Sequence, residues 1–410
     1  MSADAARMLA DLRTLAELTG NDRGAQRVAW TDTWAKAREW ERGLLAELPV
    51  TVEIDEAGNQ WATLEGDSPR TLIIGSHIDS VPDGGWLDGC LGVLSALEVL
   101  RGLAAGARPP LTVRLVDWAD EEGARFGLSL LGSTMTTSGL DPDYVRALRD
   151  ADGVTAGEAL AAHGIDVERM SEARSRLEQA VGYIELHIEQ GPVLEARDLP
   201  LGVVSGTYGT ERWAVQFAGQ SAHSGSTPMD QRRDSLLAAA RLALEVRELA
   251  RRNGGVGTVG RISSEPGIPT AVAGVSTALV DQRHDDPSVL DELHERAERA
   301  SRSIAADENV EVSWSPLFRI PPIPFDSGLI ESAAAVVADL QGADVRLPSG
   351  PLHDAARVAE SGVPTVMLFV RSKRGLSHTR EEDTDEGDLA LALTALDRLV
   401  HDRLARGDQG

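Results

Sequence analysis

The sequence of 410 residues contains a single cysteine, Cys90. One thiol cannot close an intrachain disulfide, and metal sites built from several cysteines are excluded. Basic residues are also scarce: 40 Lys and Arg stand against 65 Asp and Glu, a formal net charge of −25. That imbalance repels the phosphates of nucleic acid and an anionic membrane surface, so neither is expected as a partner. No apolar run reaches the ~18 residues that a spanning helix needs. The opening Met-Ser-Ala-Asp-Ala-Ala-Arg lacks the basic stretch and apolar core of a secretory signal. What is present, 42% hydrophobic and 26% charged residues, suits a packed soluble protein of about two domains, expected in the cytoplasm.

Periodicity organises the chain. Met8, Leu9, Leu12, Leu15 and Leu18 recur at helical spacing. A second helix is expected over 35–48, then strands 50–54 and 61–64 about an Ala-Gly-Asn turn. The apolar run Thr71-Leu-Ile-Ile-Gly75 reads as a strand buried on both faces. A Gly-rich loop leads to a helix over 91–103, ended by Gly106 and Pro109-Pro110, and 111–118 is another strand. Strand, helix and strand in that order predict a βαβ unit in a parallel or mixed sheet. Residues 140–180 read as acidic helical surface without a site, and 181–188 as a third buried strand.

Small residues and glycine over 201–209 predict a hinge. Beyond it, a strand 213–217, a helix 235–252, strands within 271–281 and a helix 287–305 make an α+β block. Arg319-Ile-Pro-Pro-Ile-Pro324 closes it, since such a run cannot continue a helix or a central strand. The remainder returns to helix, strand (365–370), loop and helix. The expected organisation is an α/β mixed-sheet domain, residues 1–208 and 326–410, interrupted by an inserted α+β domain, 209–325.

An isolated histidine is most often a surface or satisfied core residue. Three of the nine here stand where strands end: His77 after 71–75, His187 in Glu185-Leu-His-Ile-Glu-Gln-Gly191, and His378 in the loop after 365–370. Open α/β sheets collect active-site groups beyond the carboxyl ends of strands. Carboxylates join them: Asp79, Asp88 at a helix entrance, and Asp120-Glu-Glu122 after the strand ending at Trp118. Taken singly, Asp88 reads as a helix N-cap and the triplet as a solvated loop. Together, histidines and carboxylates without cysteine suit Zn²⁺, Mn²⁺, Co²⁺ or Ni²⁺. Adjacent carboxylates can divide their work, one as ligand and one as proton carrier, and a bridging carboxylate lets two ions share a water.

Gly75-Ser-His-Ile-Asp-Ser-Val-Pro82, Asp88-Gly89, Glu121-Glu-Gly-Ala-Arg-Phe-Gly127, His187-Ile-Glu-Gln-Gly191, Ala222-His-Ser-Gly-Ser-Thr-Pro-Met229 and Ser377-His378 together resemble a known family. In order and spacing they look like the M20 group of dinuclear metallohydrolases, in its N-carbamoyl-L-amino-acid hydrolase and allantoate amidohydrolase branch. The resemblance runs from about residue 10 to 400. It implies a zinc-peptidase-like catalytic domain with an inserted lid and dimerisation domain. It implies two divalent ions per subunit, Zn²⁺ or Mn²⁺ with Co²⁺ or Ni²⁺ also suited. His77, Asp88 and His187 would bind one, and a bridging Asp88, Glu122 and His378 the other. Glu121 would be the general base, and Asp79 would orient His77. His223 and Arg283 of the lid would act in trans in a homodimer, His223 on the oxyanion and Arg283 on the substrate carboxylate. Gln190, Thr270 and Gly350 would line the substrate.

The chain departs from the pattern near the substrate. Thr270 stands where the family often has Asn, and Ser349-Gly-Pro-Leu-His-Asp-Ala355 places bulk at Pro351 and Leu352. Arg371, Lys373 and Arg374 precede His378, with Arg371 where Pro is common. The expected activity is hydrolysis of a linear amide or ureido C–N bond in a small carboxylated compound, foremost an N-carbamoyl group. An aminopeptidase or N-acyl-amino-acid deacylase would share the metal centre. A silent ligand-binding pseudo-hydrolase would need no base, and the retained Glu121 speaks against it.

Overall fold

The computed structural model describes residues 3–407; residues 1–2 and 408–410, part of the N-terminal reading and of the expected domain ends, lie outside the described residues. The chain divides between Ser205 and Gly206 and again between Pro324 and Phe325.

The first unit is built on a mixed sheet of β1 (Thr51–Ile54), β2 (Gln60–Leu64), β3 (Ser68–His77), β4 (Leu111–Trp118), β5 (Ala180–Ile188), β6 (Leu201–Thr207), β7 (Arg346–Ser349) and β8 (Thr365–Val370). Their spatial order is β6-β8-β5-β3-β4-β2-β1, with β7 also paired to β6. The four central strands, β8, β5, β3 and β4, are parallel, so their carboxyl ends share one edge. Antiparallel strands flank them on either side. The central strands are apolar without alternation because both faces are covered.

Helix Cys90–Ala104 is the crossover between parallel β3 and β4 and is buried along nearly its whole length. Its buried acid, Glu98, is held by Arg7 Nε at 2.9 Å and Arg101 Nη1 at 3.1 Å, which removes the cost of an unpaired charge. Residues 140–180 form two short helices and a 3₁₀ helix, Val167–Leu177, that bury Val145, Leu160, Met170 and Ala173. They are therefore not merely acidic surface. Within 201–209, where a hinge was expected, the chain passes from the first unit to the second after Ser205, and strand β6 itself runs to Thr207 and pairs with β8. Small residues there serve close strand packing: a Cβ on Gly202 would meet Leu347 at 2.6 Å.

The second unit, Gly206–Pro324, carries a four-stranded antiparallel sheet in the order Val256–Glu265, Val275–His284, Gly209–Ala218, Glu311–Ile320. Val215, Phe217, Ala278 and Val280 of its two inner strands pack with Ala238, Leu242 and Val246 of helix Ser235–Asn253 and with Leu293 and Ala297 of helix Pro287–Asp307. The two outer strands went unread in the sequence. Glycine at 254, 255, 257 and 260 masks the first, and the second carries Pro316. Among the described residues no helix is long and apolar enough to cross a membrane.

A buried ion pair anchors the sheet edge on which the functional residues stand. Arg38 Nε lies 2.8 Å from Asp117 Oδ2, a charge contact without hydrogen-bond alignment, and Asp117 Oδ1 accepts Ile78 N–H at 2.8 Å, one residue beyond His77. Removing one partner strands the other charge in the core. Asp117→Ala is expected to lower the unfolding free energy by about 3–5 kcal/mol. Urea denaturation followed by tryptophan fluorescence reads this directly, and a loss under about 1 kcal/mol would show that the pair does not anchor this edge.

Candidate metal centre

Parallel pairing brings the expected residues together. His77 ends β3 opposite Trp118, the last residue of β4, and His187 of β5 lies opposite Phe369 of β8. His77 belongs to its strand rather than following it, because β3 extends beyond its apolar core to residue 77. Asp88 follows in the loop to the crossover helix. It does not cap that helix with its side chain; Gly89 occupies the cap position at φ 66°. A Cβ at Gly89 would come within 2.4 Å of the His77 ring and of His77 O, so only glycine allows this approach.

Glu121 and Glu122 leave β4 through Asp120, itself at φ 59° and bonded by Trp30 Nε1 at 2.7 Å. Asp79 is the hub beneath them. Its two carboxylate oxygens accept the backbone N–H groups of Glu121 and Glu122, each at 3.2 Å. Its backbone carbonyl, not its carboxylate, is the nearer partner of His77 Nδ1, at 3.2 Å against 3.6 Å. His187 Nδ1 likewise faces Ile188 O at 2.9 Å. A carbonyl only accepts, so both Nδ1 atoms carry the proton and both Nε2 lone pairs face inward.

Asp88 lies between two sets of donors. Its Oδ1 is 3.3 Å from His187 Nε2 and 3.7 Å from His77 Nε2, while Oδ2 is 3.5 Å from His378 Nε2. Glu122 Oε2 is 3.4 Å from His378 Nε2. Ligating atoms of His77, Asp88 and His187 lie within 4.8 Å of one another, as do those of Asp88, Glu122 and His378. Glu121 is in neither set, with Oε2 3.8 Å from His77 Nε2.

These residues fit divalent metal. Nε2 of His77, Nε2 of His187 and Oε1 of Glu122 are buried without a hydrogen-bond partner, which a protein interior rarely tolerates. Burial, then the charge of Asp88, pushes Glu122 up to about 9. Burial also raises Glu121 well above the usual carboxylate range, against the pull of His77 and with Glu122 adding to the rise. Burial disfavours charge on Asp88 as well, yet the adjacent imidazoles of His187 and then His77 hold it below the ordinary range. A cation among these groups relieves the repulsion, and imidazole with carboxylate is the donor chemistry of Zn²⁺ and Mn²⁺.

Gln190, read as a substrate residue, sits on this cluster. Its Nε2 donates to Asp88 Oδ2 at 2.8 Å and to Ser377 Oγ at 3.0 Å. Gly350 lies between β7 and helix Asp354–Glu360, in the segment leading to His353. His223, Thr270 and Arg283 belong to the second unit. There His223 pairs with Ala271, and Thr270 O accepts Ser224 N–H at 3.0 Å, so the first two are neighbours. His223 Nδ1 accepts Gly225 N–H at 3.1 Å, which makes Nε2 the protonated nitrogen and a donor. Arg283 stands apart on its strand, its Nε 2.8 Å from Asp281 Oδ1.

Sequence reasoning missed His353. Its ring lies 4.5 Å from that of His187, its Nδ1 is 4.0 Å from Glu121 Oε1, and both ring nitrogens are buried without a hydrogen bond. Burial, then the charge of His187, holds it well below the usual imidazole range. The available signal was its place in the loop between β7 and helix Asp354–Glu360, whose N-cap it is. Arg371 and Lys373, flagged as departures, pair with Asp388 and Asp383 at 2.6 and 2.8 Å. They staple the His378 loop.

Two donor sets that share Asp88 at the carboxyl ends of parallel strands, one closed and one reaching the surface at His378, are the arrangement expected of a metal-dependent hydrolase. The profile of Peptidase family M20/M25/M40 matches residues 73–402, and the chain belongs to that family. It is 33% identical over 389 residues to an N-carbamoyl-L-amino acid amidohydrolase of Geobacillus stearothermophilus, covering 94% of each chain. It is 32% identical over 384 residues to an allantoate amidohydrolase of Escherichia coli (strain K12), covering 92% of each. The crystal structure of a hydantoinase/carbamoylase family amidase from Burkholderia ambifaria superposes with a TM-score of 0.89 at 33% identity, over 98% of each chain.

Gly89 gives this centre a specific test. Gly89→Ala forces its methyl group onto the His77 ring and should weaken uptake of one Zn²⁺ or Mn²⁺ ion at least about tenfold, as displaced ligand geometry typically does. Equilibrium dialysis with metal analysis measures it. Unchanged affinity would remove His77 from the ligand set.

Proposed function

We propose that this chain is a metal-dependent amidohydrolase that cleaves a linear amide or ureido C–N bond in a small carboxylated molecule, foremost the N-carbamoyl group of an amino-acid-like compound. The observation that carries this reading is Asp88, whose two oxygens face different imidazoles, with Glu121 beside both donor sets and belonging to neither. The relatives support the substrate class, since they are named for N-carbamoyl-L-amino acids and allantoate.

His77, Asp88 and His187 would hold one ion, and Asp88, Glu122 and His378 the other. When bound, such ions act as Lewis acids toward water and the substrate carbonyl. Glu121 takes a proton from the attacking water at its carboxylate. The water oxygen bonds to the carbonyl carbon, the C–N bond breaks, and Glu121 returns the proton to the departing nitrogen. For a carbamoyl group this single cleavage gives an amine and carbamic acid, and the carbamic acid then breaks its remaining C–N bond spontaneously to give ammonia and CO₂. Asp79 keeps Glu121 and Glu122 in register by holding both N–H groups. Gln190, Thr270 and Gly350 are assigned to substrate contact.

His223, with Nε2–H as donor, is assigned to the oxyanion, and the Arg283 fork to the substrate carboxylate. Both would serve the partner subunit's site in a homodimer formed through the second unit. Leu236 and Leu244 of helix Ser235–Asn253 are 44% and 66% exposed and Val256 on the edge strand 45%, apolar surface that pairing of copies would cover. We place the protein in the cytoplasm, in keeping with a single, buried, unpaired thiol at Cys90.

Ammonia and amine release from N-carbamoyl amino acids, N-acyl amino acids and dipeptides tests the bond class. Turnover is expected with the carbamoyl compounds, and a preference for dipeptides would point to an aminopeptidase instead. Glu121→Gln should retain both ions while turnover falls about 10²–10⁴-fold. Loss of one ion with high residual activity would exchange the roles of Glu121 and Glu122.

Mixing chains tests the trans assignment. Glu121→Gln and His223→Ala are each expected to be inactive alone. A heterodimer holds one site with both residues intact, so subunit exchange should restore about a quarter of wild-type activity per chain. No recovery after confirmed exchange would confine His223 to its own subunit or remove it from catalysis.

A further inference from the structure

A buried carboxylate that belongs to neither donor set joins the two loops that deliver them. Glu382 is 2% exposed. Its Oε1 accepts the backbone N–H groups of Leu87 and Asp88, each at 3.0 Å. Its Oε2 lies 3.1 Å from Ser377 Oγ, next to His378, and the same hydroxyl reaches Asp88 Oδ2 at 2.7 Å. Some 294 residues of chain separate Glu382 from Asp88, yet this side chain fixes the backbone of one loop and the serine of the other. The fit is close: a Cβ on Gly85 would meet Glu382 Cδ and Oε1 at 2.1 Å.

The two donor sets depend on this brace unequally. His77 and His187 are carried by paired, buried strands. His378 sits on a loop, at φ 56°, with its side chain 50% exposed. We propose that Glu382 is a positioning residue that sets the separation of Asp88 from His378, so that the set Asp88, Glu122, His378 exists only while Glu382 ties the loops. The inference rests on the ligand sets proposed above.

The test uses the full-length chain, stripped by chelator and titrated with Mn²⁺ or Zn²⁺ by equilibrium dialysis and calorimetry. Wild type should take up two ions per chain. Glu382→Ala should bind the second about 10–100-fold more weakly, the range for loss of an outer hydrogen-bond partner, with the first changed less than about threefold. Glu382→Gln keeps a carbonyl oxygen for both N–H groups and an amide for Ser377 Oγ, and should restore the second ion to within about threefold of wild type. Gly85→Ala changes no ligand but presses on the Glu382 carboxylate, and should reproduce the selective loss if Glu382→Ala fails to fold. A Glu382→Ala chain that binds both ions like wild type, or loses both equally, overturns the brace while leaving the ligand sets standing. Wild type that takes up fewer than two ions overturns the ligand sets and the brace with them.

Discussion

Four carboxylates buried against one another are the constraint on which the first unit depends. Asp79, Asp88 and Glu121 are buried, and the Glu122 side chain is only 6% exposed. In a medium of low dielectric burial and the neighbouring negative charges disfavour ionisation of Glu121 and Glu122. The fold answers with fixed donors: Asp79 is satisfied by two backbone N–H groups, and Asp88 receives Gln190 and Ser377. What those donors leave unsatisfied, two imidazole Nε2 atoms and an oxygen of Glu122, is a set of lone pairs aimed at a common region. Such a set is costly as core and well matched to cations.

Rigidity for that arrangement comes from parallel pairing. A parallel strand brings its carboxyl end to the same edge as its neighbour's, and residues at the ends inherit the register of the ladder. His77 opposite Trp118 and His187 opposite Phe369 are therefore placed by backbone hydrogen bonds throughout two strands, not by local contacts. The Arg38–Asp117 pair extends this control one residue past the ladder by holding Ile78. Gly89 then lets the next loop return against the His77 ring, which is why Asp88 can lie within 4 Å of two strand-borne histidines.

Much of this was legible in the sequence because it rests on strands and order. The apolar runs 71–75, 111–118, 181–188 and 365–370 are the four parallel strands, and the residues just inside or beyond them form both donor sets. Long-range contacts were not legible. His353 arrives at the cluster through a short strand and a loop whose sequence, Ser-Gly-Pro-Leu-His, carries no period. Glu382 looks like one acid among several in Glu381-Glu-Asp-Thr-Asp385, and only tertiary structure separates its buried carboxylate from exposed Glu381. The edge strands of the second unit were hidden for a different reason. An edge strand pairs on one side alone, tolerates glycine and proline, and need not show an apolar face.

The two donor sets differ in how far they are closed, and that difference gives the centre a direction. His77 and His187 are each 1% exposed, whereas the His378 side chain is 50% exposed. Solvent therefore reaches the cluster on the His378 side. Glu121, 7% exposed and 3.8 Å from His77, lies with the closed set. A carboxylate in that position is shielded from bulk water. His353, with ring nitrogens unpaired and ionisation suppressed by burial, lines the same inner wall as a neutral imidazole. The closed set and Glu121 are thus the buried part of the cluster, and the loop-borne His378 is its exposed member.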